Sequence, residues 1–261
     1  MDIVAITALG RSVEEEAPAL AAELGLTAYE TALMLRAPPP NVILRTDDRA
    51  RALSVLERLR ARGHMAVAID TAHVVASEDM FRPRRFVLEG LDLVARGELS
   101  EERLVTGSVF ALVRAMHATR TEDTVTTKSR ELSLGRAAMS GGVLLSKTTT
   151  KEEVRVTQER EPVLYAYRDD GPPWLFRAQD LRYDGLGPRM LRSKAENFEV
   201  LIQLLREHSP QAHYDTRLLA VRAAPAKVTN AGASHLSTSS SGTMDLLAHI
   251  VATSLRRGAY R

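Results

Sequence analysis

The chain has 261 residues, of which 44% are hydrophobic and 26% charged, so its composition argues against disorder and against a membrane class. It has no cysteine, which excludes disulfides, thiol nucleophiles and thiolate metal sites. No basic segment precedes an apolar core at the start, and no eighteen apolar residues run together. We therefore expect a cytoplasmic protein.

The net charge of +2 hides an even distribution of acids and bases. Residues 1–76 hold 8 basic and 10 acidic residues, residues 77–221 hold 22 of each, and residues 222–261 hold 5 and 1. Nearly matched charges do not produce the one-sided field that phosphate backbones require. Nucleic acid is therefore not an expected partner.

The first 76 residues predict a small domain of alternating strands and helices. Residues 2–9 form a strand pattern, and Ser12 with the acids after it marks a helix start. Gly25 suits the end of that helix, and Thr27 with Glu30 forms a capping box for the next one. A strand at 41–45, a helix from Asp47 or Asp48 to Gly63 and a strand at 64–69 follow. The predicted order is strand, helix, helix, strand, helix, strand.

This order, with the stretch LGLTAYETALMLRAP at residues 24–38 and the helix-glycine-strand ending at Gly63, resembles a known ribosomal domain. It is similar to the C-terminal domain of the bacterial ribosomal stalk protein, whose fold the Clp protease adaptor shares. The resemblance covers about 75 residues and implies the fold of domain 1–76.

Residues 82–220 predict a second, mainly antiparallel β domain that ends in one amphipathic helix. Strands are expected at 86–88, 92–95, 103–106 and 109–116, in threonine-rich arms at 119–128 and 147–157, and in a hairpin of 163–167 with 174–177. Ser193 caps a helix at 194–208. The whole chain is thus predicted to be α+β, and the second domain, with Trp174 and the segment 193–208, resembles bacterial pleckstrin-homology-like domains.

An apolar insert at residues 131–147 joins the two threonine-rich arms. Either it folds back over the sheet, or its glycine-jointed tip contacts a partner or a lipid surface. The candidate contact residues are Leu134, Arg136, Met139, Val143, Leu144 and Leu145.

Residues 222–243 are rich in Ala, Ser, Thr and Gly and predict a flexible linker to a docking helix at 244–258. Its apolar stripe comprises Leu246, Leu247, Ile250 and Val251. The helix could dock on its own chain, on a second copy or on another protein.

No catalytic, metal or phosphate-loop motif is recognisable, so no cofactor is predicted. The leading hypothesis is a non-enzymatic binding or scaffold protein whose partner is another protein or a second copy. One alternative is a hydrolase in which the fold joins Asp169, Asp170 or Asp215 with a histidine. Another is a peripheral membrane module that uses the 131–147 insert.

Overall fold

The computed structural model describes residues 1–132, 146–221, 226–230 and 235–256, and its helices and largely antiparallel sheets confirm the α+β class. The helices are α1 Val13–Leu24, α2 Ala28–Arg36, α3 Arg49–Ala61, α4 Lys194–His208 and α5 Ser241–Arg256. The first strands are β1 Asp2–Ala8, β2 Asn41–Thr46, β3 Met65–Asp70, β4 Arg85–Glu89, β5 Asp92–Arg96 and β6 Glu101–Leu104. The later strands are β7 Val109–Leu132, β8 Ser146–Arg168, β9 Trp174–Arg177, β10 His213–Leu218, β11 Ala226–Asn230 and β12 His235–Ser239.

The first 70 residues fold in the predicted order, with an antiparallel sheet β2-β1-β3 against α1, α2 and α3. Capping boxes at Ser12 and Thr27 start α1 and α2, and Asp48 caps α3. Gly25 ends α1 with a φ of 72°, a left-handed conformation that glycine adopts without steric cost.

A buried polar cluster holds α1 against the turn between α3 and β3. Glu16 is 1% exposed, and its carboxylate lies 2.8 Å from Nε of Arg62 and 2.9 Å from Nε2 of His64. The Gly10 N–H donates to Nδ1 of His64 at 3.0 Å. A Cβ at Gly10 would come within 2.0 Å of the Gly63 carbonyl oxygen, so this close approach requires glycine.

The strands β7, β8 and β9 are adjacent, and β10 lies parallel to β7. The register of β8 with β9 confirms the hairpin predicted at 163–167 and 174–177. A separate antiparallel sheet, β4-β5-β6, shares a core with α4, with Trp174 and with one face of β7 and β8. The helix predicted at 194–208 is α4, and Ser193 caps it.

The last helix, α5, packs in the core of its own chain. Its buried side chains share one cluster with Ile3 of β1, Val67 of β3, Val113 of β7 and Tyr165 of β8. Of the four residues predicted as partner contacts, Leu247, Ile250 and Val251 are buried there and Leu246 is partly buried. These four are therefore core residues, because docking in cis satisfies the apolar stripe.

The chain divides into two compact units, but not at the predicted boundary near residues 76–82. One unit comprises residues 1–117, 161–224 and 241–261, and the other comprises 118–160 and 225–240. The predicted domains 1–76 and 82–220 are thus corrected, since α5 contributes to a core that contains β1 and β3 as well as β7 and β8.

The predicted linker 222–243 contains regular structure. In the smaller unit, β11 pairs antiparallel with β12, and β12 pairs antiparallel with β7 from Thr119 to Asp123. Residues 241–243 already belong to α5. The composition rich in Ser and Thr is thus that of paired strands, which the linker interpretation overlooked.

Shortening a buried side chain of α5 tests this packing. We expect Ile250→Ala, at a fully buried position, to lower the free energy of unfolding by about 2–5 kcal/mol, because it leaves a cavity. Urea unfolding followed by the fluorescence of the buried Trp174 measures this. The partly buried Leu246→Ala is the matched control and should cost less; equal losses would contradict the assignment.

Candidate anion-binding groove

A groove of about 770 Å³ is lined by the start of β4, the end of β5, the segment after β9 and the start of α4. Six of its side chains are cationic, and the one carboxylate is that of Asp180. The cationic residues are Arg84, Arg85, Arg96, Arg182, Arg192 and Lys194. The groove therefore has a positive wall, although residues 77–221 as a whole are balanced in charge.

Hydrogen bonds hold three separate segments around the groove. The Arg84 N–H donates to the Arg96 carbonyl oxygen at 2.8 Å, and the Arg182 N–H donates to the Arg84 carbonyl oxygen at 2.9 Å. The side chain of the buried Asn197 accepts from the Leu191 N–H at 2.6 Å and donates to the Leu191 carbonyl oxygen at 3.1 Å. The wall is thus built on fixed backbone.

Two of these arginines oppose each other directly across a pair of strands. Arg85 of β4 and Arg96 of β5 are register partners, and both are exposed. Like charges at this spacing repel each other and destabilise a sheet. Within the residues that the structure describes, Arg85, Arg96, Arg182 and Arg192 form no ion pair, whereas Arg84 contacts Glu98 at 3.2 Å. These four guanidinium groups remain available for an external anion.

The lining also indicates what kind of anion fits. Guanidinium groups bind carboxylates and phosphates through paired hydrogen bonds. Met190 and Leu191 line the same groove and are 54% and 47% exposed, so an apolar group would have contacts beside the charges. The aromatic residue of the lining, Tyr183, is buried and donates its hydroxyl to the Ala178 carbonyl oxygen. It offers no exposed face on which a base could stack.

A second polar group lies in the core around α5. Asp245 accepts from the Ser77 hydroxyl at 2.6 Å, from the Ser77 N–H at 2.8 Å and from the Tyr165 hydroxyl at 2.7 Å. Since Tyr165 donates its proton to Asp245, its oxygen accepts from Nε2 of His117, 2.7 Å away. Burial raises the pKa of Asp245 and lowers that of His117 to about 4. The four side chains are buried, so this group serves as a structural network.

The carboxylates of the hydrolase alternative are bound by neighbouring side chains. Asp169 pairs with Arg256 at 2.6 Å, Asp170 accepts from the hydroxyl of Ser108 at 2.8 Å, and Asp215 pairs with Arg217. Among the residues that the structure describes, no histidine forms an ion pair with these carboxylates, and no cluster of three potential metal ligands is present.

Six predicted contact residues lie outside the described residues. They are Leu134, Arg136, Met139, Val143, Leu144 and Leu145. In the described part of the chain, none of the helices has both the length and the apolar character needed to cross a membrane.

Sequence reasoning missed the groove because its arginines come from segments nearly one hundred residues apart. Because residues 77–221 hold equal numbers of basic and acidic residues, their total charge gave no sign of this cluster. Two local signals could have pointed to it, the RPRR at residues 82–85 and the RMLRSK at residues 189–194.

Removing one of the opposed arginines should stabilise the protein. We expect Arg96→Thr to raise the free energy of unfolding by about 0.2–1 kcal/mol at low salt, because it removes the repulsion from Arg85. Higher salt should reduce the gain. Arg103→Thr, in the same sheet, is the control; Arg103 is paired with Glu89 and Asp92, so this change should give no gain. Chemical denaturation measures both, and a loss of stability in Arg96→Thr would refute the repulsion.

The buried histidine predicts a loss of stability in acid. Because the pKa of His117 is lowered from 6.5 to about 4, the unfolded chain takes up a proton that the folded protein rejects. The contribution of neutral His117 to the free energy of unfolding is complete above pH 6.5. About 3 kcal/mol of it is lost as the pH falls toward 4. The raised pKa of Asp245 has the opposite effect, because the folded protein binds that proton more tightly than the unfolded chain does and gains stability in acid. Denaturation series at several pH values should show a smaller acid loss in His117→Gln, and identical slopes would contradict this.

Comparisons with protein-family models, with curated proteins and with solved structures gave no match for this chain. The resemblances of the first 76 residues to the ribosomal stalk domain and of residues 82–220 to pleckstrin-homology-like domains therefore stay predictions.

Proposed function

We propose that this protein is a non-enzymatic binding protein whose cationic groove docks an acidic segment of a protein partner. The observation that carries the proposal is the set of four exposed arginines without an ion-pair partner in the described structure, two of them opposed in register. A protein keeps such a repulsive pair at a cost in stability, and an incoming carboxylate would remove that cost. A cysteine-free chain suits a reducing compartment, so we place this activity in the cytoplasm.

A protein segment fits the groove better than other polyanions. Acidic peptides carry carboxylates beside apolar side chains, which matches arginines beside Met190 and Leu191. Nucleic acids gain affinity from exposed aromatic side chains on which bases stack, and the groove lacks such a face.

Fluorescence anisotropy with labelled peptides tests the proposal on the full chain. One peptide alternates Glu with Leu, and the second replaces each Glu by Gln. We expect the acidic peptide to bind at 50 mM salt and to weaken as salt rises, because exposed charges are screened. The double variant Arg85→Glu, Arg96→Glu should lose at least about tenfold in affinity, since the acids of the peptide then meet like charges.

The matched control is Arg45→Glu with Arg51→Glu, which makes the same change in net charge at two exposed arginines of β2 and α3. It should leave peptide affinity nearly unchanged. An equal loss in both double variants, or equal binding of the Glu and Gln peptides, would show that the groove is not the site. Tighter binding to phosphatidylglycerol vesicles or to a single-stranded oligonucleotide would overturn the choice of a protein segment.

A further inference from the structure

The opposed arginines of the groove lie on the solvent-facing side of the sheet β4-β5-β6. Successive side chains of a strand point to opposite faces, and Phe86 and Ala95, the neighbours of Arg85 and Arg96, are buried. Both arginines are exposed. Residues directly opposed in a sheet have Cβ atoms about 4.5–5.5 Å apart, so both guanidinium groups can reach one anion placed between them.

The donors of these two guanidinium groups are free. Among the residues that the structure describes, neither arginine side chain has a hydrogen bond or an ion pair. Glu101 of β6 is the register partner of Arg96 on its other side, without an ion pair between them. Glu98 and Asp180 contact Arg84 instead, at 3.2 and 3.9 Å. An incoming anion thus competes with no acid already bound to the pair.

A phosphate group matches this pair better than a single carboxylate does. A carboxylate has one charge and two oxygens, which the fork of a single guanidinium group occupies. A phosphorylated serine or threonine carries about −1.5 to −2 charges at pH 7 and three acceptor oxygens. It can therefore accept hydrogen bonds from two guanidinium groups at once and offset both charges.

An apolar pair beside the arginines indicates that the phosphate belongs to a protein segment. Val87 and Val94 are register partners on the same face, two residues along each strand from Arg85 and Arg96. Val87 is 52% exposed. Residues two apart in a strand lie about 6.7 Å apart, which is also the spacing of same-face side chains in an extended peptide. A peptide can thus place a phosphate over the arginines and an apolar side chain over the valines.

We infer that the acidic segment bound by the groove carries a phosphorylated serine or threonine, held between Arg85 and Arg96. An apolar residue two positions away contacts Val87 and Val94. This inference rests on the proposed function, because it names the anion recognised at the same site. It goes further, since a segment whose only acids are Glu and Asp would also satisfy that proposal.

Fluorescence anisotropy on the full chain compares three labelled peptides that differ at one position. The central residue is phosphoserine, Glu or Gln, a Leu lies two residues before it and two after it, and the other positions are Ser and Gly. We expect the phosphoserine peptide to bind at least about tenfold more tightly than the Glu peptide, because it engages both guanidinium groups. Replacing both Leu by Ser should weaken binding at least about threefold, since the contact with the valines is lost.

Single substitutions locate the phosphate. Arg85→Gln and Arg96→Gln should each reduce the preference for phosphoserine over Glu to about threefold or less, because one guanidinium group suffices for a carboxylate. The matched control is Arg182→Gln, which makes the same change in charge at an exposed groove arginine outside the opposed pair. It should leave this preference unchanged, even if both affinities fall.

The outcomes separate this inference from the proposed function. Equal affinities of the phosphoserine and Glu peptides would overturn the inference, whereas the proposed function would stand if the alternating Glu–Leu peptide still binds better than its Gln counterpart. No binding of either the phosphoserine or the Glu–Leu peptide at about 1 mM would reject both. An equal loss of preference in Arg182→Gln would show that the opposed pair does not hold the phosphate.

Two competition measurements test the choice of a protein segment. Inorganic phosphate should displace the phosphoserine peptide only at concentrations at least about tenfold above the dissociation constant of the peptide, since it makes no contact with the valines. Displacement at an equal concentration would make free phosphate the ligand and overturn the inference. Tighter binding to vesicles that contain phosphatidylinositol phosphate than to the peptide would overturn it in favour of a lipid headgroup.

Discussion

Burial of α5 between two sets of strands is the interaction on which the larger unit depends. Ile250 and Val251 have no exposed surface, and they share one core with side chains of β1, β3, β7 and β8. Without this helix, the apolar side chains that pack against it would be exposed to water. The last helix that the structure describes therefore completes a core that β1 begins.

The same helix carries the polar groups that specify how it docks. Asp245 binds Ser77 and Tyr165, and the hydroxyl of Ser254 lies 3.0 Å from that of Thr7 in β1. Apolar contacts alone would not fix the position of the helix along its axis or its rotation about that axis. Buried hydrogen bonds restrict both, since a misplaced helix would leave a carboxylate and hydroxyls unsatisfied. The position of α5 in the core is thereby fixed.

An unfavourable interaction affects stability differently at the surface groove and in the core. At the groove, Arg85 and Arg96 repel each other at the surface, where the repulsion is screened and small. In the core, the Tyr167 hydroxyl is buried without a partner in the described structure, where an unsatisfied group costs more. The groove is thus a place where local energetics are unfavourable in the protein alone, which is typical of sites that bind something else.

The sequence by itself determined the local elements of this protein. Ser12, Thr27 and Ser193 mark helix starts through hydrogen bonds that span three residues, so a short window of sequence contains the whole signal. Only the tertiary structure decided that residues 1–117 form one unit with 161–224 and 241–261, and which arginines share a groove. The reason is physical, because burial and charge clustering join segments that are distant in the chain, and no local pattern records those contacts.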